Sequence, residues 1–81
     1  MLRPEHRLRI EEVVIPEHFE SRALGSLDLR TPNYVVLAVR AHHDWIFNPS
    51  EDFELRAGFT LVAMATPHGR QELEAALASA K

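Results

Sequence analysis

The sequence predicts an α+β fold: a small, mainly antiparallel four-stranded sheet, a short helix after the first strand and a helix at the C-terminus. Three observations lead to this prediction. Four short apolar runs have the composition of strands, turn residues separate these runs, and the last residues repeat apolar groups at helical spacing. The resulting order β-α-β-β-β-α is typical of an α+β domain.

The first predicted strand covers residues 8–15 and carries apolar side chains on both faces. These are Leu8, Ile10 and Val14 on one face, and Val13 and Ile15 on the other. We therefore expect the far end of this strand to be covered on both sides, with a partner as one possible cover.

A short helix is predicted over residues 20–27, ending near Asp28. Ala23, Leu24 and Leu27 recur there at helical spacing. Gly25 inside this segment costs about 1 kcal/mol relative to alanine, which makes the predicted helix a weak one.

The strongest strand candidate is YVVLAVRA, residues 34–41, with apolar groups on both faces, so we expect it to be central in the sheet. His42-His43-Asp44 connects it to the next strand, residues 45–47, and predicts a hairpin. Trp45 and Phe47 are two residues apart and so share a face. We expect them to pack in the core or in a dimer interface.

About ten residues separate this hairpin from the last strand, residues 59–65, and Gly58 supplies the turn before it. Asn48-Pro49 ends the preceding strand, because proline cannot donate to a ladder. Residues 51–55 are predicted to form a polar, exposed connection to the last strand, with the side chains of Phe53 and Leu55 pointing inward.

The C-terminal helix is predicted to begin at Thr66-Pro67, a hydroxyl cap followed by a proline in the first turn. Its apolar face would consist of Leu73, Ala76, Leu77 and Ala80.

An 81-residue chain makes one domain, and we assign residues 8–80 to it and residues 1–7 to a linker or terminal tail. A core this small gives only a few kcal/mol of net stability, and the chain has no cysteine for a disulfide. Association is the remaining way to stabilise such a scaffold, so we expect a homodimer.

The net charge of −3 and the scattered positive residues exclude the basic stripe of a nucleic-acid binder. No apolar run approaches the length of a membrane span, and no signal peptide opens the chain. These features predict a soluble, cytoplasmic module.

The sequence gives little support for a catalytic site or a metal site. His42 and His43 are neighbours on the chain and, with Asp44, are poorly placed for one metal ion. The acids Glu51, Asp52 and Glu54 lack the spacing of a calcium loop. No serine lies in a nucleophile motif and three glycines cannot build a dinucleotide-binding loop, so we expect neither an enzyme nor a bound cofactor in this chain.

Several segments together resemble one family. They are IPE at residues 15–17, LGSLDLR at 24–30, VVLAVR at 35–40 and WIFNPSEDFELRAG at 45–58, followed by an apolar strand, TP and a helix. In this order and spacing the chain resembles the RCK C-terminal (TrkA-C-like) domain of prokaryotic potassium channels and transporters. Ser21, Phe59 and Ala65 depart from the family's usual Gly, Asp and Gly, which alters local turn geometry.

The resemblance implies a cytoplasmic regulatory domain in potassium transport. It would dimerise and couple a ligand or the subunit arrangement to ion flux through a channel or transporter membrane subunit. Some relatives bind cyclic di-AMP between two copies, which by position implies a dimer-cleft site of Leu37, Arg40, His42 and Asn48. Two alternatives stay open: Arg40 as a solvent-facing or intersubunit salt-bridge residue, and a purely structural dimerisation domain without a ligand.

Overall fold

The computed structural model describes residues 8–27, 29 and 31–79; the expected tail at residues 1–7 lies outside them. Within the described residues the chain forms six strands, one 3₁₀ helix and one α-helix. In chain order they are β1 (Arg9–Val14), β2 (Arg22–Ala23), the 3₁₀ helix (Leu24–Leu27), β3 (Tyr34–Ala41), β4 (Asp44–Phe47), β5 (Glu54–Leu55), β6 (Thr60–Ala65) and α1 (Pro67–Ser79).

The main sheet has four antiparallel strands in the order β1-β6-β3-β4. This confirms the α+β class and the four-stranded antiparallel sheet. As expected, β3 is central, because it pairs with β6 on one side and with β4 on the other. The two inner strands, β6 and β3, are also the most apolar ones.

Helix α1 covers one face of this sheet and closes the core. Leu73 and Leu77 are fully buried on the predicted apolar face of the helix, whereas Ala80 lies outside the described residues. The buried cluster consists of Val13, Ile15, Phe19, Tyr34, Val39, Leu55, Phe59, Leu61, Ala63, Ala65, Leu73 and Leu77. The cap predicted at Thr66 is present, since its Oγ1 accepts a hydrogen bond of 2.9 Å from the Gly69 amide.

The first turn of α1 lies directly on the segment that leads into β3. The Asn33 carbonyl accepts a 3.1 Å hydrogen bond from the Thr66 amide, and Gly69 packs against the same carbonyl. Glu72 then accepts hydrogen bonds from the Asn33 amide group, at 2.6 Å, and from the Thr31 hydroxyl, at 3.0 Å. These contacts fix the helix relative to the central strand.

An ion pair joins α1 to the edge strand β1. The Arg70 guanidinium donates to Glu11 at 2.6 Å and to Glu74 at 3.3 Å. The hydrogen bond with Glu11 raises the pKa of Arg70 above its usual value, against a smaller lowering by burial. Arg70 therefore stays charged, and the pair holds the helix across the sheet.

The short helix predicted over residues 20–27 is a 3₁₀ helix confined to Leu24–Leu27, and β2 precedes it. Two backbone amides explain the difference. The Leu24 amide donates to the Phe53 carbonyl at 2.8 Å, and the Gly25 amide donates to the Glu51 carbonyl at 2.9 Å. Because these amides bind a distant segment, β2 pairs with β5 and an α-helix cannot use the same donors.

The long connection between β4 and β6 has the expected polar exterior and apolar anchors. Leu55 is fully buried and Phe53 is partly buried, while Glu51, Asp52 and Glu54 are exposed. The two-residue strand β5 within this connection was not apparent from the sequence.

Candidate functional site

Nothing in the described part of the chain covers the sheet face opposite α1, and we call it the open face. Pairing register identifies its residues: Met64 of β6 opposes Ile10 of β1 and Val35 of β3, and all three are exposed. Alternation places these side chains opposite the buried Leu61 and Ala63. Three more exposed apolar residues complete the face: Val14, Trp45 and Phe47.

The open face narrows two sequence-based expectations. Among the described residues the far end of β1 is covered on one side, because Val13 is buried while Val14 is 62% exposed, which leaves a partner as the expected cover of the other side. Trp45 and Phe47 are 47% and 75% exposed in one chain, so of the two expected locations, core and dimer interface, only the interface stays open for them. Register explains this, since they oppose Arg40 and Ala38 on β3, whose side of the sheet faces away from the helix. An exposed apolar patch of this kind is typical of an interaction surface.

Arg40 is the cationic centre of the open face. Its Nη2 lies 3.5 Å from the hydroxyl of Thr60 and 3.8 Å from the carboxylate of Glu12, across strand β6. Its guanidinium carbon also lies 5.6 Å from the centroid of the Trp45 ring. Arg40 and Glu12 are 42% and 60% exposed, so their ion pair is weak and readily displaced.

Leu37 and Asn48 lie together where β3 and β4 separate. A β-bulge between Val36 and Ala38 makes Leu37 an extra residue on β3. The Asn48 amide donates to the Leu37 carbonyl at 2.8 Å, and Asn48 has a φ of 47°, which asparagine tolerates better than most residues. Backbone pairing therefore fixes these two candidate residues relative to each other.

His42 lies in the tight β3–β4 turn, with a φ of 60°. Its ring and the Phe59 ring meet edge to face, with 5.5 Å between centroids, and Phe59 belongs to the buried core. Arg40 is two residues away along the chain, so His42 lies at the tip of the hairpin, with its ring packed on a core residue.

Within the part of the chain that the structure describes, no group of three or more His, Cys, Asp or Glu side chains could hold a metal ion. His42 and His43 form the turn, and Asp44 begins β4. Among the same residues no helix has the length and apolar character needed to cross a bilayer.

Two partners of Arg40 were missed by sequence reasoning, namely Glu12 and Thr60. Strand alternation could have placed Glu12 on the face of Ile10 and Val14. Its closeness to Arg40 depends on β6 lying between β1 and β3, and that order cannot be read from periodicity.

A separate cleft of about 610 Å³ lies between the 3₁₀ helix and the start of β3. Its walls include Leu24, Leu29, Tyr34, Val36 and Pro49. None of the four candidate residues lines it, but Val35 does, so the cleft adjoins the open face at the start of β3.

Comparisons with known proteins identify the family and the fold. Residues 8–78 match the family model of the TrkA-C domain. Comparison with curated protein sequences gives no match. Among solved structures, the chain is similar to the RCK C domain of the potassium transport protein KtrA, described in complex with cyclic di-AMP. The TM-score is 0.74 at 19% identity, covering 84% of this chain and 81% of that one.

The likeness to the KtrA domain shows a shared fold, because 19% identity carries no more than that. The family match is stronger, since it extends over nearly all of the described residues. It confirms the resemblance found in the sequence. The chain therefore belongs to the TrkA-C domain family, a family of regulatory domains without enzymatic activity.

Proposed function

We propose that this domain is a cytosolic regulatory module of a potassium channel or potassium uptake system. It pairs with a second copy and couples a ligand, or the subunit arrangement, to ion flux through a membrane subunit. The observation that carries the proposal is the open face, where exposed apolar side chains surround one arginine. Membership of the TrkA-C family supports the regulatory role.

The open face suits pairing with an identical face. Ile10, Val35 and Met64 form an apolar row across three strands. In a two-fold dimer each residue of one copy meets the equivalent patch on the other, so charges must be self-complementary. Glu12 and Arg40 meet that requirement, because each copy offers one acid and one base on this face.

The ligand proposed for the cleft between two copies is cyclic di-AMP, held by Leu37, Arg40, His42 and Asn48. The KtrA domain was solved with this ligand, and its fold is that of the present chain. Arg40 has the planar donor fork that suits a phosphate, and its weak pair with Glu12 is displaced at little cost. Asn48 offers amide donors and an acceptor beside the apolar Leu37.

Such a ligand acts on transport only through a difference in affinity between two subunit arrangements. A site shared by two copies has this property, because moving one copy relative to the other changes the contacts that the ligand makes. Ligand binding then favours one arrangement and transmits it to the membrane subunit.

Arg40→Ala is expected to remove the thermal stabilisation that cyclic di-AMP gives to the domain. A ligand at 100 times its Kd stabilises the folded state by about 2.7 kcal/mol. For a domain of this size that corresponds to a rise of roughly 10–20 °C in melting temperature. Differential scanning fluorimetry with and without cyclic di-AMP measures the shift in each variant.

Arg56→Ala is the matched control, because Arg56 is exposed in the β5–β6 connection and pairs locally with Glu54. Both variants lose one positive charge, and both should melt close to the wild type without ligand. A ligand-induced shift that survives Arg40→Ala at full size would show that the site lies elsewhere.

The second candidate function is assembly without ligand sensing. The observation in its favour is that Arg40 already has Thr60, Glu12 and the Trp45 ring as neighbours. A dimeric wild-type protein whose melting temperature responds neither to cyclic di-AMP nor to divalent cations would support this candidate.

A further inference from the structure

Trp45 and Phe47 form an aromatic pair on the open face. Their ring planes differ by only 8°, and their centroids are 6.1 Å apart. Both side chains are exposed, at 47% and 75%, so neither contributes its full area to the core. The two rings are stacked, and together they present exposed aromatic surface on the open face.

A cation lies against this surface. Trp45 opposes Arg40 in the β3–β4 register, and the guanidinium lies within cation–π range of the indole. Phe47, at the other end of the pair, directly precedes Asn48. The aromatic pair therefore has a guanidinium group, that of Arg40, at one end and the amide side chain of Asn48 next to it in sequence at the other.

An aromatic surface beside an arginine is the arrangement by which proteins hold single nucleotides, with the base on the ring and the phosphate on the cation. An aliphatic ligand would bury area on the rings but offer the Arg40 guanidinium no partner, and a simple anion would use Arg40 alone. The open face carries both features within one pair of strands.

We propose that Trp45, extended by Phe47, is the base-stacking platform of the ligand site. This inference rests on the proposed function and adds residues to that site. A purine base stacks on the indole, while Arg40 turns from Glu12 to the phosphate. Trp45 thereby contributes affinity that depends on the base.

Trp45 is the only tryptophan of the chain, so its fluorescence reports directly on the site. Titration of the wild-type protein with cyclic di-AMP should change the emission of Trp45, with a midpoint equal to the Kd from calorimetry. Trp45→Leu should weaken binding by roughly 5- to 100-fold in calorimetry, since stacking on an aromatic ring is lost. Trp45→Phe keeps an aromatic face and should stay within a few-fold of the wild type.

Sedimentation of the same variants separates stacking from pairing. The proposal is supported if both variants still dimerise, Trp45→Leu binds more weakly and Trp45→Phe binds within a few-fold of the wild type. Wild-type affinity in Trp45→Leu, a dimer lost in that variant, or unchanged emission at saturation overturns it.

An absence of heat with wild-type protein would instead overturn cyclic di-AMP as the ligand. In that case the wild-type protein is titrated with AMP at millimolar concentration. A change in Trp45 emission would support base stacking on Trp45, and unchanged emission would overturn it.

Discussion

Gly69→Ala is expected to destabilise the domain by about 1–3 kcal/mol, although glycine to alanine within a helix normally stabilises by about 1 kcal/mol. The sign reverses because a Cβ at this position would overlap the Asn33 carbonyl and come within 2.8 Å of its carbon. To make room, α1 must move away from the segment before β3. That movement stretches the bonds from Thr66 and Asn33 that fix the helix.

Thermal or urea unfolding measures this effect, and a loss of 1–3 kcal/mol corresponds to a fall of roughly 5–20 °C for a domain of this size. Gln71→Ala, at an exposed position two residues further along α1, is the control and should leave the melting temperature nearly unchanged. An increase in stability for Gly69→Ala would mean that the helix does not lie as close to Asn33 as described.

Met64→Glu is expected to abolish pairing while leaving the single domain folded. Met64 lies in the apolar row between Ile10 and Val35, and it is 37% exposed in one chain. A glutamate there stays in water as long as the chain is alone. In a dimer that buries the open face, each copy would bring one uncompensated charge into the interface, at about 3–5 kcal/mol. The dimer dissociation constant should rise by a factor of at least about 100.

Sedimentation equilibrium tests this expectation, because the wild type should have about twice the 9.2 kDa of one chain and Met64→Glu should have the mass of one. Ala75→Glu is the matched control, since it adds the same charge at an exposed position of α1 on the other side of the sheet. Pairing that persists in Met64→Glu, or fails equally in the control, would rule out the open face as the interface.

Periodicity and turn chemistry were sufficient to predict the four main strands, the C-terminal helix and its Thr66 cap. They succeed there because each of these elements uses its own backbone donors or those of a neighbouring strand. The segment after β1 failed for the opposite reason. Its Leu24 and Gly25 amides bind Phe53 and Glu51, residues nearly thirty positions away, and helical spacing contains no information about such partners.

The candidate site was predictable in part. Arg40, Leu37 and Asn48 were chosen by resemblance, and the structure places Leu37 and Asn48 against each other and Arg40 on the open face. Trp45 was expected in the core or in a dimer interface, and its exposure in one chain rules out only the core. The face of the sheet that is buried is the one on which α1 packs. The position of α1 depends on contacts between residues distant in sequence, such as Gly69 and Asn33, and periodicity does not reveal these contacts.

In the proposed complex, two copies of this domain hold one ligand between their open faces. Isothermal titration calorimetry of the wild-type protein with cyclic di-AMP tests it most directly, because the stoichiometry counts chains per ligand. We predict one ligand bound per two chains, with saturation that leaves the dimer intact. One ligand per chain, or no heat of binding under conditions where the protein is dimeric, would contradict this proposal.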